Sequence, residues 1–103
     1  MENLNEKKWV EGFKTTEGAE IIDVRTPDEF NQGYIDGARL INIQKSGEFM
    51  KEIEQLPKDK DYYVYCRSGA RSEMACQLMN KAGIENTYNL EGGILGWTGE
   101  VKK

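Results

Sequence analysis

Tyr62-Tyr63-Val64-Tyr65-Cys66-Arg67-Ser68-Gly69-Ala70-Arg71-Ser72 is the stretch on which the reading of this chain turns. Asp61 to Tyr65 is an aromatic and β-branched run, which predicts a strand. The small residues Ser68-Gly69-Ala70 break that run, and a helix is predicted from about Arg71 to Ala82, ended by Gly83. Cys66 therefore falls in the loop at the C-terminal edge of a strand, where open parallel α/β sheets bind their ligands.

The loop has the composition of an anion cradle. A helix N-terminus leaves backbone N–H groups unpaired and carries about half a positive charge. Residues as small as Ser68, Gly69 and Ala70 let those N–H groups turn inward around one atom. A free cysteine, with a pKa of about 8.5, is only ~3% thiolate at pH 7. A cradle with Arg67 and Arg71 beside it favours the thiolate, while burial opposes it, so the cradle is expected to win only where the loop is partly open to water. Taken singly, a cysteine ending a buried strand is more often a small apolar side chain than a nucleophile. The glycine, the two arginines, the Ser72 hydroxyl and the helix start shift that reading toward a nucleophile. Cys76, about five residues into the helix and sharing a face with Ala75 and Met79, reads as a packed core residue, with a resolving thiol as the lesser alternative.

Working outward, short apolar runs alternate with helical segments, the pattern of an α/β domain with a mostly parallel sheet. Glu6 to Lys14 reads as a helix with Trp9, Val10 and Phe13 on one face. Ala19 to Val24 reads as a strand. Thr26, Pro27 and Glu29 fit the cap, first and third positions of a short helix. Gly33 and Gly37 bracket a turn before a strand over Ala38 to Ile43. Gly47 to Leu56 places Phe49, Met50, Ile53 and Leu56 at core spacing, and Pro57 marks the end of that helix. Asn86 to Leu90 reads as the last strand, and Gly92-Gly93 leads into a short helix carrying Trp97, read as a core plug. The tyrosines Tyr62, Tyr63, Tyr65 and Tyr88 read as ordinary strand residues.

The 103 residues are enough for one domain, are 38% apolar and 31% charged, and carry a net charge of −4, the profile of a globular chain. An acidic balance disfavours direct nucleic-acid binding and anionic lipid, and no apolar run approaches the roughly 20 residues of a membrane span. The polar start, Met1 to Lys8, lacks the apolar stretch of a secretory signal, which points to a cytoplasmic protein. There are two cysteines and no histidine. Ser-His and Cys-His nucleophile pairs are thereby excluded, and the usual zinc sets are out of reach, so no metal is expected. Two cysteines ten positions apart form neither a CxxC pair nor a disulfide scaffold.

Three segments together resemble the rhodanese family of sulfurtransferases: Ile21-Ile22-Asp23-Val24-Arg25-Thr26-Pro27-Asp28-Glu29-Phe30 with Gly33-Tyr34-Ile35-Asp36-Gly37-Ala38, the Tyr63–Ser72 segment, and Leu90-Glu91-Gly92-Gly93-Ile94-Leu95-Gly96-Trp97. The resemblance runs from Ile21 to Trp97. It implies a three-layer α/β fold, a five-stranded parallel sheet with helices on both faces. It also implies that Cys66 takes sulfane sulfur from a small anionic donor such as thiosulfate, holds it as a persulfide and passes it to an acceptor. The acceptor would be cyanide in the test tube, and a thiol or partner protein in the cell. Arg67 and Arg71 would bind the donor, Ser68, Gly69, Ala70 and Ser72 would line its site, and no cofactor is needed. Many members have His-Ile-Pro-Gly where this chain has Tyr34-Ile35-Asp36-Gly37, a change at the rim that bears on acceptor choice. Nothing in the sequence demands more than a monomer.

Asp23 and Arg25 end a strand beside the expected pocket. They could steady the loop through charge-assisted hydrogen bonds. The preferred alternative pairs Arg25 with a neighbouring carboxylate such as Glu29 at the sheet edge. Two rival functions share the loop. Cysteine phosphatases use a longer one, whereas only four residues separate Cys66 from Arg71, and Tyr65 stands where they have histidine. A non-catalytic binding module is the other rival, a role usually accompanied by loss of the cysteine.

Overall fold

The computed structural model describes residues 1–103. Five strands, β1 (Glu2–Leu4), β2 (Glu20–Asp23), β4 (Ala38–Leu40), β5 (Tyr62–Tyr65) and β6 (Thr87–Leu90), form one sheet. Its order is β1-β6-β5-β2-β4, with every neighbouring pair parallel. Parallel neighbours need crossovers, and these carry α1 (Glu6–Thr15), α2 (Pro27–Asn31), α3 (Ser46–Gln55) and α4 (Ala70–Lys81). From β2 the chain runs out to β4, then returns to β5 on the other side of β2 and continues to β6. The order thus reverses between β2 and β5, the switch point at which ligands bind in open α/β sheets.

The central strand explains its own sequence. All four residues of β5 are buried, and their period-two alternation divides them between two cores. Tyr62 and Val64 join Phe49, Ile53, Ala75 and Met79 beneath α3 and α4. Tyr63 and Tyr65 join Trp9, Ile21 and Leu90 beneath α1. The alternation continues into Cys66, which lies on the α3/α4 side. The tyrosines also work as polar groups: the Tyr62 hydroxyl donates to the Pro57 carbonyl at 2.6 Å, and the Tyr65 hydroxyl accepts the Ile35 N–H at 3.0 Å.

α2 forms as its sequence predicts. Thr26 caps it, Pro27 opens it, and the Glu29 carboxylate returns a bond to the Thr26 backbone N–H, completing a capping box. Three features differ from the sequence reading. The polar start contains an edge strand, β1, too short and too polar to show periodicity. The expected turn between Gly33 and Gly37 contains β3 (Tyr34–Ile35), paired antiparallel with β7 (Val101–Lys102). The last helix is a single 3₁₀ turn, Ile94–Gly96. Trp97 follows it half-buried, set edge-on to Trp9 with ring centroids 5.9 Å apart.

Candidate functional site

Cys66 leaves β5 with its sulfur directed into the start of α4. The Gly69 N–H donates to Sγ at 3.0 Å, and the Ser72 hydroxyl lies 3.3 Å from Sγ. Gly69 is the N-cap, with φ of 108°, a left-handed conformation that a side chain would strain. That turn is what aims its N–H at the sulfur. The loop is held from behind by the segment after β6: the Ile94 N–H donates to the Cys66 carbonyl and the Leu95 N–H to the Arg67 carbonyl. Gly93 makes this close approach possible, since a Cβ there would lie 2.6 Å from the Cys66 carbonyl oxygen.

The loop is partly open to water, as expected, through exposed Arg67, Ser68 and Ala70, although Cys66 itself has no exposed surface. Burial pushes the thiol up, but the Ser72 hydroxyl and the backbone N–H groups of Ser72, Gly69 and Ser68 outweigh it and hold it below its ordinary value. Hydrogen bonds concentrated on one sulfur replace what hydration would have supplied. Arg67, Ser68 and Ala70 are exposed, and Gly69 and Arg71 are half-buried. The loop stands between two open clefts. One, of about 280 Å³, is bordered by Arg25, Glu29, Arg67, Ile94, Leu95 and Val101. The other, of about 310 Å³, is polar and acidic, with Asn3, Glu73, Asn89 and Glu91. The roomiest cavity, about 480 Å³ against Trp9, Phe13 and Trp97, lies on the α1 side of the sheet and is lined by neither cysteine.

The arginines are distributed differently from the sequence reading. Arg25 does not pair with Glu29. Its guanidinium grips Asp23, with Nη2 at 2.7 Å from Oδ2, and donates to the Gly33 carbonyl at 2.7 Å. The reason is local: both side chains project from the end of β2, and Asp23 also accepts the Arg25 N–H. The Arg25 guanidinium sits over the Tyr65 ring, and the pair makes no hydrogen bond to residues 66–72, so a direct hold on the loop is absent. Glu29 goes instead to Arg71, in a two-pronged pair at 2.8 Å for each bond. Those bonds to Arg71, together with the bond from the Thr26 N–H, outweigh burial and draw the Glu29 carboxyl down to about 2. Arg71 is correspondingly raised, first by its bond to Glu29 and then by charges that include Cys66 and Asp23. Arg67 is exposed, with no side-chain ion pair.

One site residue escaped the sequence reading. Asn89 of β6 is 3% exposed; its Oδ1 faces the Ser72 hydroxyl, and its Nδ2 donates to the Gly69 carbonyl at 3.1 Å. The available signal was an asparagine inside a strand, where that residue is depleted. Cys76 lies buried in the same core as Cys66, in keeping with the packed-core reading.

Residues 4–100 match the model of the rhodanese-like domain family. The chain is 38% identical over 102 residues to YqhL of Bacillus subtilis, spanning 99% of this chain and 76% of that protein. It is 43% identical over 82 residues to a sulfurtransferase of Allochromatium vinosum, spanning 80% of this chain and 74% of the relative. The fold superposes on the crystal structure of a rhodanese-like domain protein from Staphylococcus aureus with a TM-score of 0.83 and 27% identity, covering 99% of this chain and 97% of the other. With the sheet order, the strand–loop–helix around Cys66 and the match along nearly its whole length in agreement, the chain belongs to the rhodanese-like domain family.

Proposed function

We propose that the chain is a sulfurtransferase that carries sulfane sulfur as a persulfide on Cys66. The observation that carries this reading is the pair of donors, Gly69 N–H and Ser72 hydroxyl, set on one sulfur at the start of α4. They favour the thiolate without a general base, which suits a chain lacking histidine. Relatives named as sulfurtransferases support the same class of reaction.

With thiosulfate as donor, the Cys66 thiolate attacks the outer sulfur. A sulfur–sulfur bond forms to Cys66, the donor's own sulfur–sulfur bond breaks, and sulfite leaves with the electron pair. The charge of the attacking thiolate ends on the outer sulfur of the persulfide. An acceptor nucleophile, cyanide or a thiolate, then attacks that sulfur and returns Cys66 as thiolate. The N–H groups of Ser68, Gly69 and Ser72 stabilise the anionic sulfur in both steps, and the small Ala70 leaves them room. Arg67, free of a carboxylate, meets the anionic end of the donor. Arg71 shares its charge with Glu29 and therefore contributes less to donor binding than an unpaired arginine would. Because Cys66 is covered, residues 67–70 must shift to admit the donor.

Incubation with thiosulfate followed by intact-mass spectrometry tests the reading. Wild type should gain one sulfur atom, and Cys66→Ser should gain none. A folded wild-type protein without an adduct would overturn it.

A further inference from the structure

The Ser72 hydroxyl has one hydrogen and three acceptors within reach. Its Oγ lies 3.3 Å from Cys66 Sγ, 3.2 Å from the Gly69 carbonyl oxygen, and closest of all to Asn89 Oδ1. Cys66, Ser72 and Asn89 are 0%, 0% and 3% exposed, so bulk water does not replace a missing partner. The Asn89 amide is pinned: Nδ2 donates to Asn3 Oδ1 at 2.9 Å and to the Gly69 carbonyl at 3.1 Å, leaving Oδ1 for Ser72. Asn3, on edge strand β1, is itself bonded to Glu73 of α4.

We propose that Asn89 is a positioning residue that sets the protonation of Cys66 by competing with its sulfur for the Ser72 hydrogen. In the thiol form, the S–H donates to Ser72 Oγ, and the Ser72 hydrogen rests on Asn89 Oδ1. On ionisation the thiol proton leaves to solvent, the hydroxyl rotates onto the thiolate, and Asn89 Oδ1 loses its donor. Only the S–H bond breaks. In a persulfide the charge sits on the outer sulfur, the inner sulfur is a weak acceptor, and the hydroxyl returns to Asn89. Ser72 thus supports the sulfur when it attacks and when it leaves, and releases it while it is loaded.

The charged and titratable groups around this network come from several elements. Arg71, which interacts electrostatically with Cys66, and Cys76 belong to α4. Glu29 of α2 neutralises Arg71, the Asp23–Arg25 pair ends β2, and Glu73 of α4 reaches the network through Asn3. None of them touches the Ser72 hydroxyl. The Gly69 carbonyl also accepts the Glu73 N–H at 3.1 Å, so the loop keeps an anchor when the Asn89 amide is removed.

This inference rests on Cys66 being the nucleophile, but its readout is ionisation of the thiol rather than sulfur transfer. The rate of iodoacetamide alkylation at Cys66, resolved by peptide mass spectrometry, is followed against pH in the full chain. Asn89→Leu should move the profile to lower pH and raise the rate below the wild-type midpoint about fivefold, the worth of roughly one hydrogen bond. In a Ser72→Ala background the same substitution should leave the profile where it is. Asn89→Asp holds the hydrogen more firmly and should shift the profile upward, by more with Ser72 present than without it. If the leucine variant does not fold, the aspartate pair carries the test. An Asn89 effect of equal size in both backgrounds, or no effect, overturns the proposal. A wild-type Cys66 that alkylates normally yet takes no sulfur from thiosulfate leaves this proposal standing and removes the parent reading.

Discussion

Cys66 and Cys76 stand ten positions apart in the same hydrophobic core, each with no exposed surface. Burial pushes both thiols up. For Cys76, inside α4, the pulls of the Thr87 hydroxyl and the chain's amino terminus do not offset burial, and the thiol stands at about 12. For Cys66, at the mouth of the same helix, the donors of Ser72, Gly69 and Ser68 reverse the direction. Exposure does not separate the two residues. What separates them is helix position: backbone N–H groups at the start of a helix are free to bind an anion, while those one turn further in are committed to carbonyls.

The comparison is broken or sharpened most strongly by pH-dependent alkylation. At pH 7 a thiol titrating near 12 is thiolate in about one molecule in 10⁵, so Cys66 should label at neutral pH while Cys76 stays unmodified. Ser72→Ala should narrow the gap by slowing Cys66 about tenfold below its midpoint. Peptide mapping that finds Cys76 labelled as fast as Cys66 in folded protein would erase the distinction.

A smaller effect is expected on folding. Cys76→Ala empties space beneath the sheet and should cost about 1–2 kcal/mol in denaturant unfolding, while sulfur loading by thiosulfate stays intact. Loss of loading in that variant would give Cys76 the resolving role that its burial argues against.

The smallest effect concerns Glu29, which pairs with Arg71 in the first turn of α4. Its folded-state carboxyl is lowered from 4.5 to about 2, so its contribution to stability is complete above about pH 4.5 and is lost as pH falls through about 2. The pair is roughly one-quarter exposed on each side, and solvent screening limits it to about 1 kcal/mol. Glu29→Gln should remove that acid-dependent increment in urea melts between about pH 4.5 and 2. It should also leave Arg71 freer to favour the Cys66 thiolate, shifting the Cys66 alkylation profile slightly downward and Cys76 not at all. An unchanged acid profile would show the pair to be energetically idle.

Much of this was legible because it is local. The Thr26–Glu29 capping box, the unbroken apolar run of β5, and the small-residue turn into α4 are each specified within a few adjacent positions, where backbone sterics and hydrogen bonding act directly. The edge strand β1 was not legible, because three residues with a mainly polar face carry no period. The pairing of β3 with β7 joins segments too short to announce themselves. Arg25 pairs with a neighbouring carboxylate, as the sequence suggested, but with Asp23 rather than the Glu29 named as the example. The end of β2 offered Arg25 a nearer carboxylate in Asp23, and Arg71 arrived from 42 positions away to claim Glu29.

By itself, the sequence determined that a cysteine would end a strand and face a helix start, since the apolar run, the glycines and the helix signals all lie within residues 62–83. Only the tertiary structure decided what surrounds the sulfur. Asn89 reaches Ser72 across 17 positions, and Asn3 reaches Asn89 across 86. Such contacts depend on strand order and register, which bring distant residues within hydrogen-bond range and leave no trace in local pattern.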